Sequence, residues 1–444
     1  MIAKWYTIAR MNPPIIEASY PLAFRLDDAK ALGLHLKRRD CVDLVGMKRV
    51  GISNFLRYFL YHKDVKKTFI SDTENHLLIP VDLNDLVERE LYPFWTLTFK
   101  RILDQVETLD IDEAHKKKIA SLFLSSIQSQ DLFLLIDGIR QALCLLVDNG
   151  YLPTLFFLRF DRIKDAITID FFNNLQGLRD ATHMKLAYVF TSYRSLANLS
   201  PYVFDKASLS VFSPIQFIKP VSLSDMETIY TAALLRHPLT LGTNLFKALF
   251  ETVSGNAQYL QIALIIIHEQ NEQVENEDSL RKLLLTDERM VLQSEELWES
   301  LSQNEKSVLL NIQAKEEVGE DLQKSAEYLW DAGIVQAHSK GHVMFSPLFS
   351  HYIKTRALSV QAAKDIVFSR KEHALMSFLQ SKKGEICERD EIIEAVWPEY
   401  KEFGVSDWSI DRLVARVRGK LKKQTSPFEI RTVRTRGYML IERV

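Results

Sequence analysis

Short apolar runs alternate with longer segments of helical periodicity between residues 41 and 260. The short runs are rich in Val, Leu, Ile and Phe and are bounded by polar residues, which predicts strands. The four predicted strands are Cys41–Val45, Leu77–Leu83, Leu155–Phe160 and Lys185–Thr191. The segments between them predict helices, for example Phe94–Val106, Ile139–Val147 and Phe171–Leu178. Strand–helix alternation on this scale predicts an α/β core in which helices cover a parallel sheet.

The strand pattern fades from about Asp225, and helical periodicity continues as far as Glu269. Two further helices, Lys306–Ile312 and Leu322–Ala332, precede a strand pair over Ile334–Phe345, and that order predicts a winged helix. We therefore predict an α/β core over residues 1–224, a helical lid over 225–290 and a winged-helix domain over 291–354. A linker over 355–366 and a C-terminal domain over 367–444 complete the predicted organisation.

The segment Gly46-Met47-Lys48-Arg49-Val50-Gly51-Ile52-Ser53 follows the first predicted strand and precedes a helical pattern. A phosphate-binding Walker A loop has this setting and the pattern G-x-x-x-x-G-K-[ST], in which backbone N–H groups at the helix N-terminus surround a phosphate. Both glycines and the Ser53 hydroxyl match the pattern, but Ile52 stands where the lysine belongs. Lys48 and Arg49 lie inside the loop and are the candidate substitutes for its charge.

A second phosphate-site motif, the Walker B strand, ends in an acid that binds Mg²⁺ and is usually followed by a catalytic acid. Two alignments are open for the strand at 154–162. In one, Asp161 is the metal ligand and Arg162 replaces the following acid. In the other, the acid positions fall on Leu158 and Arg159. Both alignments lack a general base, so a degraded hydrolytic site is predicted.

The order of these motifs, with the polar strand end Thr191–Arg194 and the Ser254–Leu260 segment, resembles STAND and origin-recognition-type AAA ATPases. The resemblance implies a P-loop NTPase-like core, a helical lid and a winged helix over residues 15–354. It also implies a nucleotide site for ATP or ADP with Mg²⁺, and the departures from the motifs at Ile52 and after the Walker B strand predict that binding there is weak or lost. Its candidate residues are Gly46, Lys48, Arg49, Gly51, Ser53, Asn54 and Asp161.

Positive charge is concentrated at the C-terminus. The whole chain carries a net charge of −2, whereas residues 368–444 contain 16 Lys/Arg against 12 Asp/Glu. This charge balance argues against non-specific nucleic-acid binding along the whole chain and favours a local contact. The three cysteines lie far apart, so no disulfide framework or metal site is predicted. No membrane-length apolar run or signal segment is seen, and a cytoplasmic location is expected.

The C-terminal segment contains a helix over 371–379, a second over 389–398 and a third that begins at Ser406 or Asp407 and ends near Lys423. A strand pair, Phe428–Val433 and Gly437–Ile441, follows around the turn Arg434–Arg436. The third helix has an apolar stripe for the core. Its opposite side carries basic residues at helical spacing: Arg412, Arg416, Lys420 and Lys423. Such a helix can enter the major groove of DNA while the hairpin contacts the backbone.

This segment closely resembles the effector domain of OmpR/PhoB-type response regulators, over residues 367–444. The matching runs include Val396-Trp397, Ser409-Ile410-Asp411, Ala415–Leu421 and Ile430–Tyr438. The resemblance implies that Ser409, Arg412, Arg416 and Lys420 face the groove. It also implies that Thr432, Arg434 and Arg436 contact phosphates or the minor groove. Arg418 lies nearer the apolar stripe and is the candidate for a structural role.

These features predict a DNA-binding transcriptional regulator that binds double-stranded DNA through its C-terminal domain. Its core would be a sensor or assembly module that binds nucleotide, a protein partner or further copies of the chain. No catalytic residues are assigned. Two alternatives stay open: a slow ATPase that acts as a nucleotide-dependent switch, and an origin-binding or DNA-loading protein.

Overall fold

The computed structural model describes residues 15–204, 212, 214–235, 238–239, 241–270, 274–338, 341–362, 368–398, 407–423, 426–433 and 436–442. The chain forms two compact units, Met1–Lys354 and Thr355–Val444. The predicted boundaries at residues 224 and 290 both fall inside the first unit. One hydrophobic cluster extends from Tyr20 to Ile353 there, so the core, the lid and the first winged helix share buried contacts.

A five-stranded sheet forms the centre of the first unit, with the order β2-β3-β4-β1-β5 and every pair parallel. Its strands are β1 Val42–Val45, β2 Asn75–Asp82, β3 Tyr151–Leu158, β4 Ala187–Ser192 and β5 Ile215–Phe217. The four predicted strands are confirmed. The fifth is only three residues long, too short to give a sequence pattern, and β3 ends two residues before its predicted end.

Successive strand residues point to opposite faces of the sheet. Because these strands are mostly apolar, both faces are apolar and both are covered by helices. Phe156 and Val189 belong to one hydrophobic cluster, whereas their neighbours Phe157 and Phe190 belong to the other. The helices of this part are α1 Leu26–Lys37, α2 Ile52–Tyr61, α3 Leu91–Val106, α4 Glu113–Ser129, α5 Leu132–Asp148, α6 Ile169–Ala181, α7 Leu196–Leu199 and α8 Pro201–Phe204. The predicted P-loop-type α/β architecture is therefore present.

Helices continue the first unit after β5. They are α9 Leu223–Ala233, α10 Thr243–Val253, α11 Ala257–Glu269, α12 Glu277–Thr286 and α13 Glu288–Glu299. The winged helix follows as α14 Gln303–Ala314, α15 Glu320–Ser325, α16 Tyr328–Asp331, β6 Val335–His338 and β7 Gly341–Met344, with β6 and β7 antiparallel. The single helix predicted over Leu322–Ala332 is wrong. The backbone leaves helical geometry at Ala326, so two short helices stand there.

Helix α17 spans Pro347–Ala362 and includes the first eight residues of the predicted linker. The stretch Thr355–Ala362 contains neither proline nor glycine, so nothing in it interrupts a helix. Residues 363–366 of the predicted linker lie outside the described residues.

The second unit has the predicted order of elements. It consists of α18 Arg370–Ser381, β8 Cys387–Glu388, α19 Arg389–Val396, α20 Asp407–Lys423, β9 Phe428–Val433 and β10 Gly437–Glu442. The strands form an antiparallel sheet of order β8-β10-β9. Gly437 has φ of 149°, and a Cβ there would lie 2.0 Å from the carbonyl oxygen of Cys387. Only glycine lets β10 approach β8 this closely.

Candidate nucleic-acid interface and phosphate loop

The loop Gly46–Ser53 lies at the carboxyl end of β1, between β4 and β5 in the sheet. This edge is where open α/β sheets bind ligands. Helix α2 begins at Ile52, and Gly51 before it has φ of 111°, a left-handed conformation that glycine adopts without strain. The Gly46 N–H donates to the carbonyl of Ser192 at the end of β4. The strand–loop–helix geometry of a phosphate loop is thus present.

Apolar side chains pack against the start of this loop. A Cβ on Gly46 would lie 2.9 Å from Val50 Cγ1 and 3.2 Å from Ile52 Cδ1. Met47 and Val50 are both buried. The isoleucine at the lysine position is therefore part of the packing around Gly46 and offers no cation to a phosphate.

The two cations inside the loop are engaged by the chain's own carboxylate. Arg49 Nε donates to Glu296 Oε2 at 3.1 Å, and Lys48 Nζ lies 3.8 Å from Glu296 Oε1. The Glu296 side chain, on α13, is only 6% exposed. That Lys48 and Arg49 replace the missing lysine stays a prediction, and it requires a phosphate to compete with the Glu296 carboxylate.

Asp161 lies beyond the strand in a 3₁₀ helix, Phe160–Ala166. Burial raises the pKa of its carboxyl, an effect that nearby Lys48 opposes. Strand β3 ends at Leu158, so the alignment with Leu158 and Arg159 at the acid positions matches the strand end. Arg159 instead forms an ion pair with Asp82 at the end of β2. Neither residue at the end of β3 is an acid that could hold Mg²⁺ or activate water.

Asn54 and Ser53 differ in their surroundings although they are adjacent. Asn54 is buried, and its Nδ2 donates to Glu17 Oε1 at 3.1 Å and to the Tyr20 hydroxyl at 3.2 Å. No described residue donates to its Oδ1. Asn54 also lines a cavity of about 170 Å³ between residues 16–20 and helices α9 and α11. Ser53 is exposed and lines a separate cavity with Asp82 and Arg159.

The strand end that the sequence identified beside this loop contacts the first winged helix. Arg194 follows β4 and donates from its two terminal nitrogens to the two carboxylate oxygens of Glu305, each at 2.6 Å. It also donates to Ser300 O and lies 3.9 Å from the ring centroid of Tyr328. The Arg194 and Glu305 side chains are 12% and 5% exposed. Sequence reasoning missed this buried ion pair because its partners are 111 residues apart.

In the C-terminal unit, the two sides of α20 differ as the periodicity predicts. The buried stripe comprises Ile410, Leu413, Val414, Val417 and Leu421. The residues predicted to face DNA are half-buried: Ser409, Arg412, Arg416 and Lys420. Each lies away from the stripe that packs on the domain's core.

Arg416 and Lys420 lie next to a buried acid of α18. Lys420 Nζ donates to Glu372, and Arg416 Nε is 3.9 Å from the other carboxylate oxygen. Burial opposes ionisation of Glu372, but the hydrogen bonds from Lys420 and from the Ser369 N–H lower its pKa below the ordinary value. This pairing was not predicted. Contact of these two cations with DNA stays a prediction, and it requires phosphate or base to compete with Glu372.

Arg418 connects α20 with the hairpin. Its Nε donates to the Ile430 carbonyl, and its terminal nitrogen donates to the Thr432 hydroxyl, both at 2.8 Å. The structural role anticipated for Arg418 is confirmed by these bonds. Thr432 and Arg436 are exposed, as phosphate contacts require. Arg434 lies outside the described residues.

Asp411 belongs to a network that the sequence did not reveal. Its carboxylate accepts from the Tyr438 hydroxyl and lies 2.6 Å from Arg389 Nη1. The network joins α19, α20 and β10. Burial and the hydrogen bond to Asp411 raise the pKa of Tyr438 to about 12. Asp411, one of the two acids of α20, therefore fixes the helix against the wing.

Comparison with known proteins agrees with both halves of this description. Residues 363–440 match the family described as "Transcriptional regulatory protein, C terminal". Together with the helix and hairpin order, this match identifies an OmpR/PhoB-type effector domain.

About three quarters of the chain is similar in fold to the Walker-type ATPase PABY2304 of Pyrococcus abyssi. The TM-score is 0.50 and the identity 12%, with 74% of this chain and 95% of that chain covered. The Aeropyrum pernix ORC2 protein, in its ADPNP-ADP complexes, gives a TM-score of 0.46 at 14% identity, with coverage of 80% and 99%.

No curated protein sequence matches the chain. Among the described residues, no helix has the length and apolar character needed to cross a membrane. Over the same residues, no group of three or more His, Cys, Asp or Glu side chains is arranged to hold a metal ion.

Proposed function

We propose that the chain is a sequence-specific transcriptional regulator that binds double-stranded DNA through its C-terminal winged helix. The observation that carries this proposal is α20. It packs one side on the core and presents Ser409, Arg412 and Arg416 on another, beside an arginine-bearing hairpin. An α-helix fits the width of the major groove, where arginine can donate two hydrogen bonds to a guanine edge.

In this arrangement the residues divide their tasks. The N-terminal half of α20 contains Ser409 and Arg412, and in helix-turn-helix proteins that half reaches base edges. The hairpin residues Thr432, Arg434 and Arg436 bind the adjacent phosphates. Arg418 and Asp411 hold helix and hairpin at a fixed angle, so base and backbone contacts form together.

Selection of binding sites from a random DNA library by the full chain tests this function. We expect a defined motif, and we expect the motif to be lost in a variant with Arg412→Ala and Arg416→Ala. A variant with Lys315→Ala and Lys324→Ala is the matched control, since both lysines are exposed and lie in the first winged helix. Wild-type protein that enriches no motif would refute the proposal.

We further propose that the core acts as a sensor or assembly module without ATP hydrolysis. Ile52 has no side-chain cation for phosphate, the Glu296 carboxylate already contacts Lys48 and Arg49, and neither residue at the end of β3 is an acid. These residues do not suit a Mg²⁺–triphosphate complex. The contacts of Glu296 and Arg194 link the carboxyl edge of the sheet to α13 and to the first winged helix. A protein partner or a second copy of the chain that displaces these contacts would change the position of the first winged helix relative to the sheet.

Steady-state ATP turnover tests the core. We expect turnover far below the rate of about 1 per second that is ordinary for enzymes. Ile52→Lys combined with Glu296→Gln should strengthen nucleotide binding, measured by calorimetry, while turnover stays absent because no base is restored. Glu288→Gln, on the same helix, is the control variant. Wild-type turnover near 1 per second would contradict the proposal.

A nucleotide-dependent switch is the second candidate function, favoured by the cavity beside Asn54. That cavity adjoins the N-terminus of α2, and the buried Asn54 Oδ1 has no donor among the described residues. A buried acceptor without a donor costs free energy that a bound N–H group would recover. ATP binding that tightens or weakens DNA binding without hydrolysis would select this candidate over the partner-controlled one.

A further inference from the structure

Trp408 is the second residue of α20, and its indole is half-buried. It is not among the described residues that form the domain's hydrophobic core or pack against it. An indole is one of the largest apolar side chains, and leaving it outside the core forgoes the stabilisation that burial gives. The contact that the structure shows for its ring is with Arg412, on the side of α20 predicted to face DNA.

The Trp408 indole contacts Arg412, a residue already predicted to face DNA. The guanidinium carbon of Arg412 is 5.2 Å from the centre of the Trp408 ring, within cation–π range. The two residues are four apart, so they share one side of the helix. Ring and guanidinium thus restrain each other before any DNA is bound.

We propose that Trp408 is a specificity-determining residue, an inference that rests on the proposed function. Its indole positions the Arg412 guanidinium for a guanine edge and contacts the 5-methyl group of a neighbouring thymine. Thymine is the base whose methyl group lies in the major groove, and apolar side chains discriminate it there. The pair would select a G·C base pair beside a T·A base pair.

Replacement of single thymines by deoxyuridine in the selected site tests the methyl contact with unaltered protein. The replacement removes only the methyl group. We expect one position at which it weakens binding about three- to fivefold, the value of one buried carbon. For Trp408→Ala the same replacement should have no effect. If no thymine position is sensitive in the wild type, the inference is wrong.

A double-mutant cycle tests the positioning role. Trp408→Ala should relax the preference for both bases, whereas Arg412→Ala should relax the guanine preference alone. The effects of the two substitutions on affinity should not multiply, because Trp408 acts partly through Arg412. Trp408→Phe should retain part of the thymine discrimination. Independent effects would overturn the positioning role, and a wild type without any selected site would instead overturn the proposed function.

Discussion

The chain contains two winged helices in which three helices precede an antiparallel hairpin, with the additional strand β8 in the second. The helices that precede the two hairpins carry opposite charge. In the first, α15 and α16 precede the hairpin, and residues 320–331 contain four acids and one lysine. In the second, α20 precedes the hairpin and contains six basic residues and two acids. Two similar arrangements of helices and strands thus carry acidic residues before one hairpin and basic residues before the other.

The difference shows that charge and buried contacts, rather than topology, indicate what a winged helix does. DNA is a polyanion, and an acidic helix in the groove would be repelled. The first winged helix instead contacts the core of its own unit through Glu305, whose carboxylate accepts two hydrogen bonds from Arg194. The buried Arg194–Glu305 pair therefore joins the first winged helix to its core, whereas the basic α20 makes the second the candidate DNA reader.

The largest expected effect follows removal of Arg194. Arg194→Ala would leave the buried Glu305 carboxylate without its cation, and breaking a buried pair in this way costs about 3–5 kcal/mol. Thermal or denaturant unfolding of the full chain should show this loss in the first unit alone. Arg49→Ala is the control and should cost less, because Lys48 stays beside Glu296. An unchanged unfolding transition of the first unit would contradict a structural role for the first winged helix.

A pH effect should likewise separate the two units. Asp43 in β1 is 1% exposed and accepts from the Leu196 N–H, and burial raises the pKa of its carboxyl to about 7. The folded state then binds the proton more tightly than the unfolded state. The free energy of unfolding of the first unit should therefore fall as pH rises from about 4 to 7, by on the order of 4 kcal/mol.

Asp43→Asn keeps the acceptor for Leu196 and should remove this pH dependence. The difference between variant and wild type, measured by denaturant unfolding at pH 5 and pH 8, isolates the contribution of Asp43. The transition of the C-terminal unit should be the same in both proteins. Equal pH dependence in variant and wild type would show that Asp43 does not retain its proton.

Within the second winged helix, substitutions of base-contacting residues and of phosphate-contacting residues should change DNA binding in different ways. Arg412→Ala should cost about 1–3 kcal/mol on the selected site and relax the preference there. Arg434→Ala or Arg436→Ala should weaken selected and scrambled sites alike and lower the salt slope by roughly one per lost phosphate contact. Salt titrations on both sites check this. Identical profiles for the two classes would contradict the division of tasks.

The smallest expected effect concerns Glu372. Glu372→Gln would release Lys420 and Arg416 from a carboxylate, so both could bind phosphate more readily. We expect a modest gain of affinity for scrambled DNA and a salt slope steeper by about one. Glu391→Gln, at an exposed ion pair of α19 with Lys382, is the control. A loss of affinity would mean that Glu372 orients these cations for binding.

The sequence predicted the elements well and their charge contacts poorly. The apolar stripe of α20 and the four long strands follow from local periodicity, which the packing then reinforces. Strand β5 has three residues and therefore no period. The pairs Arg49–Glu296 and Arg194–Glu305 join residues more than 100 positions apart, and no local pattern records them. Local sequence therefore predicts that Lys48 and Arg49 bind phosphate, whereas in the structure both contact the carboxylate of Glu296, which is distant in sequence.

The affinity of two matched double variants for one selected DNA site tests the central claim most directly. Arg412→Ala with Arg416→Ala neutralises α20, and Lys315→Ala with Lys324→Ala removes the same charge from the first winged helix. We predict that the first variant loses specific binding while the second binds as wild type does at every salt concentration. Loss of binding in the second variant, or full binding in the first, would contradict the account.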